Sequence, residues 1–264
     1  MNSLLNNYIE IMDTTLRDGE QTSGVSFSAN EKLTISKLLI GELSVDRIEI
    51  ASARVSVGEF NSVNKVCEWA RENDCLEKIE VLTFLDGELS LDWINKAGCI
   101  VQNLLTKGSM NHLKNQLNQK PQVHFEKIQK VIDKADKNKI QTNIYLEDWS
   151  NGMKKSKEYV FTLLDFLSKT SVKRVMLPDT LGILTPKKTA DFINEITSKY
   201  PKIHFDFHGH NDYDLGVSNT LEAIKNGIKG IHLTVNGMGE RAGNVPLEST
   251  VAAINDFIPD IKVN

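Results

Sequence analysis

Residues 203–212 read Ile-His-Phe-Asp-Phe-His-Gly-His-Asn-Asp, and the rest of the chain is organised around this stretch. Successive side chains of a strand point to opposite faces. Phe205 and Phe207 therefore share an apolar face, and His208 and His210 share the other face. Two imidazoles spaced i, i+2 at a strand end can bind one metal ion together. An isolated His-x-His is often a pair of solvated loop residues, but the apolar strand before this pair favours a metal site.

Short β-rich runs alternate with helical patterns along the whole chain. The predicted strands are 8–12, 46–51, 78–84, 99–105, 140–146, 173–177, 203–207 and 229–235. The predicted helices are 29–43, 59–73, 91–97, 123–138, 155–169, 187–200, 214–226 and 247–257. Eight strand–helix units fit a (β/α)8 TIM barrel, which typically takes about 250 residues. An open doubly wound sheet is the alternative, because alternation alone does not show that a sheet closes.

Composition indicates an ordinary globular chain rather than a nucleic-acid or membrane protein. The 264 residues are 40% hydrophobic and 25% charged, with a net charge of −4. A slightly acidic chain gives no reason to expect nucleic acid or an anionic membrane as partner. No run approaches the roughly 20 apolar residues of a membrane span, and no signal peptide is recognisable. The three cysteines are predicted to be reduced, which fits a cytoplasmic location.

Polar residues follow most of the predicted strands, where a barrel carries its catalytic groups. They are Asp13, Arg17 and Asp18 after the first strand, Glu49 after the second, Glu147 after the fifth, Thr180 after the sixth, the histidine pair after the seventh and Asn244 after the eighth. For the third metal ligand, Asp13 and Asp18 compete. A carboxylate beside two imidazoles leaves positions open for substrate oxygens. Spacing slightly favours Asp18 without deciding, and Arg17-Asp18 could also be a surface ion pair.

Three stretches resemble the signature motifs of the DRE-TIM metallolyase superfamily. They are 13–21 (Asp-Thr-Thr-Leu-Arg-Asp-Gly-Glu-Gln), 208–212 (His-Gly-His-Asn-Asp) and 239–244 (Gly-Glu-Arg-Ala-Gly-Asn). The chain is most similar to the Claisen-condensing synthases of that superfamily, which make citramalate, 2-isopropylmalate or homocitrate. The resemblance runs in order through essentially the whole chain. It departs after residue 212, where the family usually has glycine and alanine and this chain has Tyr213-Asp214.

The resemblance implies a role for each motif residue. One divalent ion, Mn, Mg or Zn, is held by Asp18, His208, His210 and Asn244. Arg17 stabilises the negative charge that develops on the reacting oxygens. Thr180 binds the carboxylate of the 2-oxo acid, and Glu147 is the catalytic acid or base. Asp13 and Glu49 organise the loops and Arg17 rather than bind the ion.

The resemblance also implies the reaction and the domain organisation. Acetyl-CoA condenses with a 2-oxo acid, and the thioester is then hydrolysed. Residues 1–264 form the catalytic barrel of a homodimer, and the accessory and regulatory domains that the family carries after the barrel are absent from this chain. Two other functions remain open: a lyase or aldolase acting on a related hydroxy acid, and a metal-binding barrel without catalysis.

The acceptor is predicted from three bulky residues near the mouth of the barrel. Leu82, Leu105 and Tyr145 lie where the third, fourth and fifth strands open. A wall of two leucines and a tyrosine leaves room for little more than a methyl group, and the same residues resemble those of citramalate synthases. We therefore expect pyruvate, with 2-oxoisovalerate as the alternative, because one methylene changes discrimination by only about 1–3 kcal/mol. These residues could also be core residues below the site.

Two polar residues near the histidine motif have less certain roles. Asp206 could orient a histidine ligand or pair with a buried donor. His232 lies outside the motifs and is expected to be a surface or packing residue.

Overall fold

The computed structural model describes residues 7–263, and within them eight parallel strands close into a barrel in sequence order. The strands are β1 (Glu10–Asp13), β2 (Arg47–Ser52), β3 (Ile79–Phe84), β4 (Val101–Lys107), β5 (Gln141–Glu147), β6 (Arg174–Asp179), β7 (His204–Gly209) and β8 (Gly230–Leu233). β1 pairs with β8 as well as with β2, and this pairing closes the barrel. The predicted (β/α)8 fold is confirmed, and the open-sheet alternative is excluded.

Helices follow the strands and cover the outside of the barrel. They are α1 (Ala29–Lys37), α2 (Val57–Glu72), α3 (Leu89–Lys96), α4 (Met110–Asn115), α5 (Pro121–Lys137), α6 (Trp149–Lys155), α7 (Lys157–Leu167), α8 (Pro186–Lys199), α9 (Gly216–Lys225) and α10 (Leu247–Phe257). Ser28 and Glu31 form a capping box at the start of α1, which satisfies backbone donors that the helix leaves unpaired. No helix in the described part of the chain is long and apolar enough to cross a membrane.

Several predicted boundaries are wrong, each for a local reason. The helix predicted at 155–169 is α7, which begins at Lys157 because Ser156 leaves the helical region (φ −147°, ψ 46°). The short helices α4 and α6 were not predicted. The helix predicted at 214–226 begins at Gly216, because Asp214 has a left-handed backbone (φ 56°). The strand predicted at 8–12 begins at Glu10, since Tyr8 makes an isolated bridge with Lys262.

The predicted helix 29–43 and the predicted end of the seventh strand differ from the structure in a smaller way. α1 ends at Lys37, and the chain continues as one π-helical segment, Leu38–Glu42. β7 runs on to Gly209, two residues beyond the predicted end, so that His208 is the penultimate residue of its strand. The extension places this histidine in the barrel wall rather than in a free loop.

The two faces of the barrel strands differ in polarity. Outward side chains such as Ile48, Ile50 and Phe205 belong to the main apolar core that packs against the helices. The inward face carries polar groups, since Arg47 of β2 contacts Asp206 of β7 across the barrel, Nη2 to Oδ2 2.6 Å. β2 and β7 are not neighbours in the sheet, so this contact passes through the barrel interior.

Candidate active site

Asp18, His208 and His210 converge at the carboxyl-terminal mouth of the barrel. Asp18 Oδ2 lies 3.1 Å from His208 Nε2, and the two Nε2 atoms of the histidines lie 3.4 Å apart. All three residues are buried, and one ligand atom from each lies within 4.8 Å of the others. Within residues 7–263, these three residues form a group of acidic and histidine side chains that could hold a metal ion.

Local backbone structure brings these three side chains together. His208 belongs to β7, and His210 follows that strand and makes an antiparallel bridge with Asn244. Asp18 lies in a turn after β1, where its N–H donates to the carbonyl oxygen of Thr14 at 2.8 Å. Consecutive strands of a closed parallel barrel end at the same rim, so residues far apart in sequence meet there.

Unpartnered oxygens at this point fit a divalent cation. Asn244 Nδ2 donates to the carbonyl oxygen of Met238 at 2.9 Å. Within the described residues, Asn244 Oδ1 is buried and has no hydrogen-bond partner, and Asp18 Oδ2 is buried with only His208 Nε2 near it, at 3.1 Å. A buried polar atom without a partner is costly. One carboxylate, two imidazoles and an amide oxygen form a donor set that suits a first-row or magnesium-like divalent ion.

The protonation states of Asp18 and His210 also suit a metal ion. Burial, and after it the neighbouring His208, lower the pKa of His210 to about 3, so its imidazole is neutral at pH 7. Burial alone would raise the pKa of Asp18, but the Arg17 guanidinium and the histidines hold it well below its ordinary range. The site thus presents an ionised carboxylate and a neutral imidazole, the forms in which these residues act as ligands.

Arg17 is fixed beside the trio by two carboxylates. Its Nη1 lies 3.1 Å from Asp18 Oδ1, and its Nε donates to Glu49 Oε2. Glu49 Oε1 in turn accepts a hydrogen bond from Asn103 Nδ2 at 2.7 Å. The planar fork of an arginine can meet two acceptors in one geometry, as a lysine cannot.

Asp13 occupies a different position from Asp18. Its carboxylate accepts from Thr15 N at 2.9 Å and from Thr15 Oγ1 at 3.0 Å, which shapes the loop after β1. Burial raises its pKa to about 7. Of the two aspartates considered as the third ligand, Asp18 is the one beside the histidines.

A cavity of about 670 Å³, counting its open mouth, lies directly over the trio. Its lining includes Arg17, Asp18, His208 and His210, together with the predicted Leu82, Leu105, Tyr145, Glu147 and Thr180. Leu82 and Tyr145 are nearly inaccessible to solvent and pack with Met12 and Met176 in a small apolar cluster separate from the main core. The three bulky residues therefore belong both to the cavity wall and to a packed group beneath it.

Glu147 and Thr180 lie at the rim of this cavity. Glu147 Oε2 pairs with Lys107, and its Oε1 lies 3.7 Å from His112 Nδ1, longer than a hydrogen bond. Thr180 Oγ1 accepts from Asp148 N at 2.9 Å. That bond uses a lone pair of the threonine oxygen, so the hydroxyl proton is available to an acceptor in the cavity.

Two polar residues near the site, His232 and Asp206, have partners that the sequence did not identify. His232 is buried in the barrel interior, where Nδ1 lies 3.1 Å from the Tyr145 hydroxyl and Nε2 lies 3.1 Å from Asp206 Oδ2. Of the two expected positions, the surface one is wrong, and the buried one is observed with these two polar contacts in addition. Asp206 pairs with the buried Arg47 and with His232 rather than with His208 or His210. The period-two alternation of β8, which puts His232 on the same face as Gly230, was the available signal.

The cysteines agree with the sequence-based prediction. Cys67, Cys75 and Cys99 are buried and form no disulfide.

Comparison with known proteins agrees with this geometry. The HMGL-like family profile matches residues 8–263. The (R)-citramalate synthase of Methanocaldococcus jannaschii is 33% identical over 247 residues, 93% of this chain and 48% of its own. A protein of Ignicoccus hospitalis named "Probable 2-isopropylmalate synthase" is 32% identical over 254 residues, 96% of this chain and 61% of its own. The chain thus spans about half to three fifths of the length of these two relatives.

Solved structures support the same fold. The HMG-CoA lyase of Bacillus subtilis superposes with a TM-score of 0.81 at 19% identity, covering 97% of this chain and 88% of that one. The family profile spans nearly all of the chain, and the curated relatives are synthases of the superfamily that the motifs resemble. The chain therefore belongs to the HMGL-like family, within the DRE-TIM metallolyase superfamily.

Proposed function

We propose that this chain condenses acetyl-CoA with a 2-oxo acid in a metal-dependent Claisen reaction, followed by hydrolysis of the thioester. The observation that carries the proposal is the convergence of Asp18, His208 and His210 under a cavity that Arg17 also lines. Relatives named as synthases that make such products support the same chemistry. One cavity then presents a ligand set, a fixed cation and a carboxylate base.

Asp18, His208 and His210 would hold the divalent ion, and Asn244, whose Oδ1 is buried without a hydrogen-bond partner, would join them. When bound, the ion supplies Lewis acidity to the carbonyl group of the 2-oxo acid. The neutral His210 imidazole and the ionised Asp18 carboxylate need no proton release at pH 7 to take this role.

We assign proton removal from the methyl group of acetyl-CoA to Glu147. Its carboxylate lines the cavity and is about a fifth exposed, so a substrate can reach it. The pair with Lys107 fixes the direction of the carboxylate. The carbanion equivalent formed at the methyl carbon then attacks the carbonyl carbon of the acceptor, and water later cleaves the thioester to release CoA.

Arg17 and Thr180 would bind the acceptor. The Arg17 guanidinium is held against Asp18 and Glu49, so it is already oriented when negative charge grows on the former carbonyl oxygen. The Thr180 hydroxyl can donate to the carboxylate of the 2-oxo acid, since its oxygen already accepts from Asp148 N. Both residues line the cavity.

Pyruvate is the acceptor that we favour. Leu82, Leu105 and Tyr145 close one side of the cavity and pack on Met12 and Met176, which leaves a short space for the acceptor side chain. The similarity to a citramalate synthase supports pyruvate, and the similarity to a protein named as a 2-isopropylmalate synthase makes 2-oxoisovalerate the second candidate. A homodimer and a cytoplasmic location remain predictions from the sequence.

Thiol release measured over a panel of 2-oxo acids tests this proposal. With Mn-loaded protein and acetyl-CoA, we expect release that needs a 2-oxo acid and stops with a chelator. The kcat/KM for pyruvate should exceed that for 2-oxoisovalerate by about tenfold or more, the scale set by a small apolar pocket. A preference for 2-oxoisovalerate would overturn the pyruvate assignment alone. Cleavage of a hydroxy acid without acetyl-CoA-dependent thiol release would favour a lyase or aldolase, and metal binding without either reaction would favour a non-catalytic barrel.

A further inference from the structure

A series of hydrogen-bonded polar side chains inside the barrel leads from its lower part to the wall of the cavity. Arg47 Nη2 donates to Asp206 Oδ2 at 2.6 Å, and Asp206 Oδ2 also lies 3.1 Å from His232 Nε2. His232 Nδ1 then lies 3.1 Å from the Tyr145 hydroxyl. Each of these residues is almost fully buried, and polar groups are kept in such a position when they satisfy one another.

The contacts of Asp206 indicate which nitrogen of His232 carries the proton. Asp206 Oδ2 lies 2.6 Å from Arg47 Nη2, and a carboxylate in such a buried ion pair can only accept hydrogen bonds. The Nε2 atom of His232, 3.1 Å from the same oxygen, therefore carries the proton. The Nδ1 atom is then left as the acceptor that faces the Tyr145 hydroxyl.

The Tyr145 hydroxyl has two acceptors within reach, and they are not equivalent. Glu49 Oε2 is 3.5 Å away, whereas His232 Nδ1 is 3.1 Å away. Both Glu49 oxygens already accept from stronger or closer donors, Arg17 Nε and Asn103 Nδ2. The hydroxyl proton consequently belongs on the His232 side.

The Tyr145 ring, fixed at its hydroxyl end, stands against the chemistry of the site. It is edge-on to the His208 ring, with centroids 5.8 Å apart and an interplanar angle of 83°. The Arg17 guanidinium carbon lies 5.9 Å from the Tyr145 ring centroid. A rotation of this ring would change both the space for the acceptor and the surroundings of a metal ligand.

The backbone leaves room for this series of hydrogen-bonded side chains. Gly230 is paired with Asp206 in the register of β7 and β8. A Cβ atom at Gly230 would lie 2.3 Å from Asp206 Oδ1, far inside contact distance. A larger residue there would displace the carboxylate that orients His232, so the glycine belongs to the same arrangement.

We propose that His232, oriented by Asp206, is a positioning residue. Its Nδ1 accepts a hydrogen bond from the Tyr145 hydroxyl and thereby fixes the Tyr145 ring as the wall that limits the size of the acceptor. This inference deepens the proposed function and rests on it for its effect on substrate choice. The hydrogen bond itself does not depend on that function.

Histidine nitrogen-15 NMR tests the hydrogen bond without any assay of activity. In the unaltered protein we expect His232, assigned with His232→Gln, to be neutral with its proton on Nε2. Tyr145→Phe removes only the hydroxyl, and it should shift the Nδ1 resonance while leaving Nε2 protonated. A proton on Nδ1, or an Nδ1 resonance that does not respond to Tyr145→Phe, would overturn the proposal.

Acceptor selectivity tests the consequence of that bond. We expect His232→Leu and Tyr145→Phe each to lower the ratio of kcat/KM for pyruvate over 2-oxoisovalerate by about tenfold, mainly through KM. The double variant should fall no further, because both changes remove one interaction. His232→Gln, which keeps a donor and an acceptor, should recover much of the ratio if His232→Leu folds poorly.

The outcomes separate this inference from the proposed function. If the unaltered protein releases no thiol with any 2-oxo acid, the proposed function fails, and the NMR measurement still decides the hydrogen bond. If the protein is active and the two losses of selectivity multiply in the double variant, His232 acts independently of Tyr145 and the inference is wrong.

Discussion

His208→Ala is expected to raise the dissociation constant for Mn²⁺ at least about 100-fold, since even changes to residues behind the ligands cost 10–100-fold. The physical reason is the position of His208 at the centre of the trio. Its Nε2 lies 3.1 Å from Asp18 Oδ2 and 3.4 Å from His210 Nε2. Alanine removes the imidazole that joins the other two. Isothermal titration of the metal-free protein with MnCl₂ measures the effect, and thiol release should be lost with the metal.

His112→Ala is the matched control for that experiment. His112 is a histidine at the same mouth of the barrel, but it lies near Glu147 and Asp148 and not among the three converging residues. Its loss should leave the Mn²⁺ affinity within about twofold. Near-ultraviolet circular dichroism must show that both variants are folded. A folded His208→Ala protein that binds Mn²⁺ as tightly as the unaltered protein would show that the ligand assignment is wrong.

Arg17→Lys is expected to lower kcat by about 100- to 1,000-fold, the usual cost of removing one donor to a developing oxyanion. The positive charge remains, but a lysine cannot meet Asp18 and Glu49 with one planar group as Arg17 does. The KM for the 2-oxo acid should change much less, because the interaction strengthens as charge develops. Steady-state kinetics at saturating Mn²⁺ measures both parameters.

Two controls accompany the Arg17 variant. Arg54→Lys alters an arginine whose ion pair with Asp86 is partly exposed, with Nη1 to Oδ2 2.6 Å, and kcat should not change. The Mn²⁺ affinity of Arg17→Lys must also be measured, since Arg17 holds the pKa of Asp18 low. If kcat is near normal, Arg17 serves only as a structural partner of Asp18 and Glu49.

The barrel could be predicted because its repeating unit is local. Eight apolar or alternating runs separated by helical patterns are each legible within about ten residues, and their number favours a barrel. Closure itself is shown by the pairing of β1 with β8. The errors lie where a single backbone angle decides. Ser156 separates α7 from the unpredicted helix α6, and the left-handed Asp214 delays the start of α9. No periodicity records such angles in advance.

The residues at the mouth were predictable from motifs, but those beneath it were not. Asp18, His208 and His210 lie in stretches that could be recognised as units. Arg47 and Asp206 are 159 residues apart in sequence, and only closure of the barrel makes them partners. His232 lies in a run without a motif, so its contact with Tyr145 became evident only from the fold.

The central claim is that the methyl carbon of acetyl-CoA forms a bond to the carbonyl carbon of a 2-oxo acid. Carbon-13 NMR tests it most directly. Acetyl-CoA labelled at the methyl carbon is incubated with Mn-loaded protein and pyruvate, and the fate of the label is followed. If the condensation takes place, we expect a labelled methylene carbon bonded to a tertiary alcohol carbon, with one free CoA thiol per product. Label that stays in acetyl-CoA, or that appears as acetate with the same release of thiol, would contradict it.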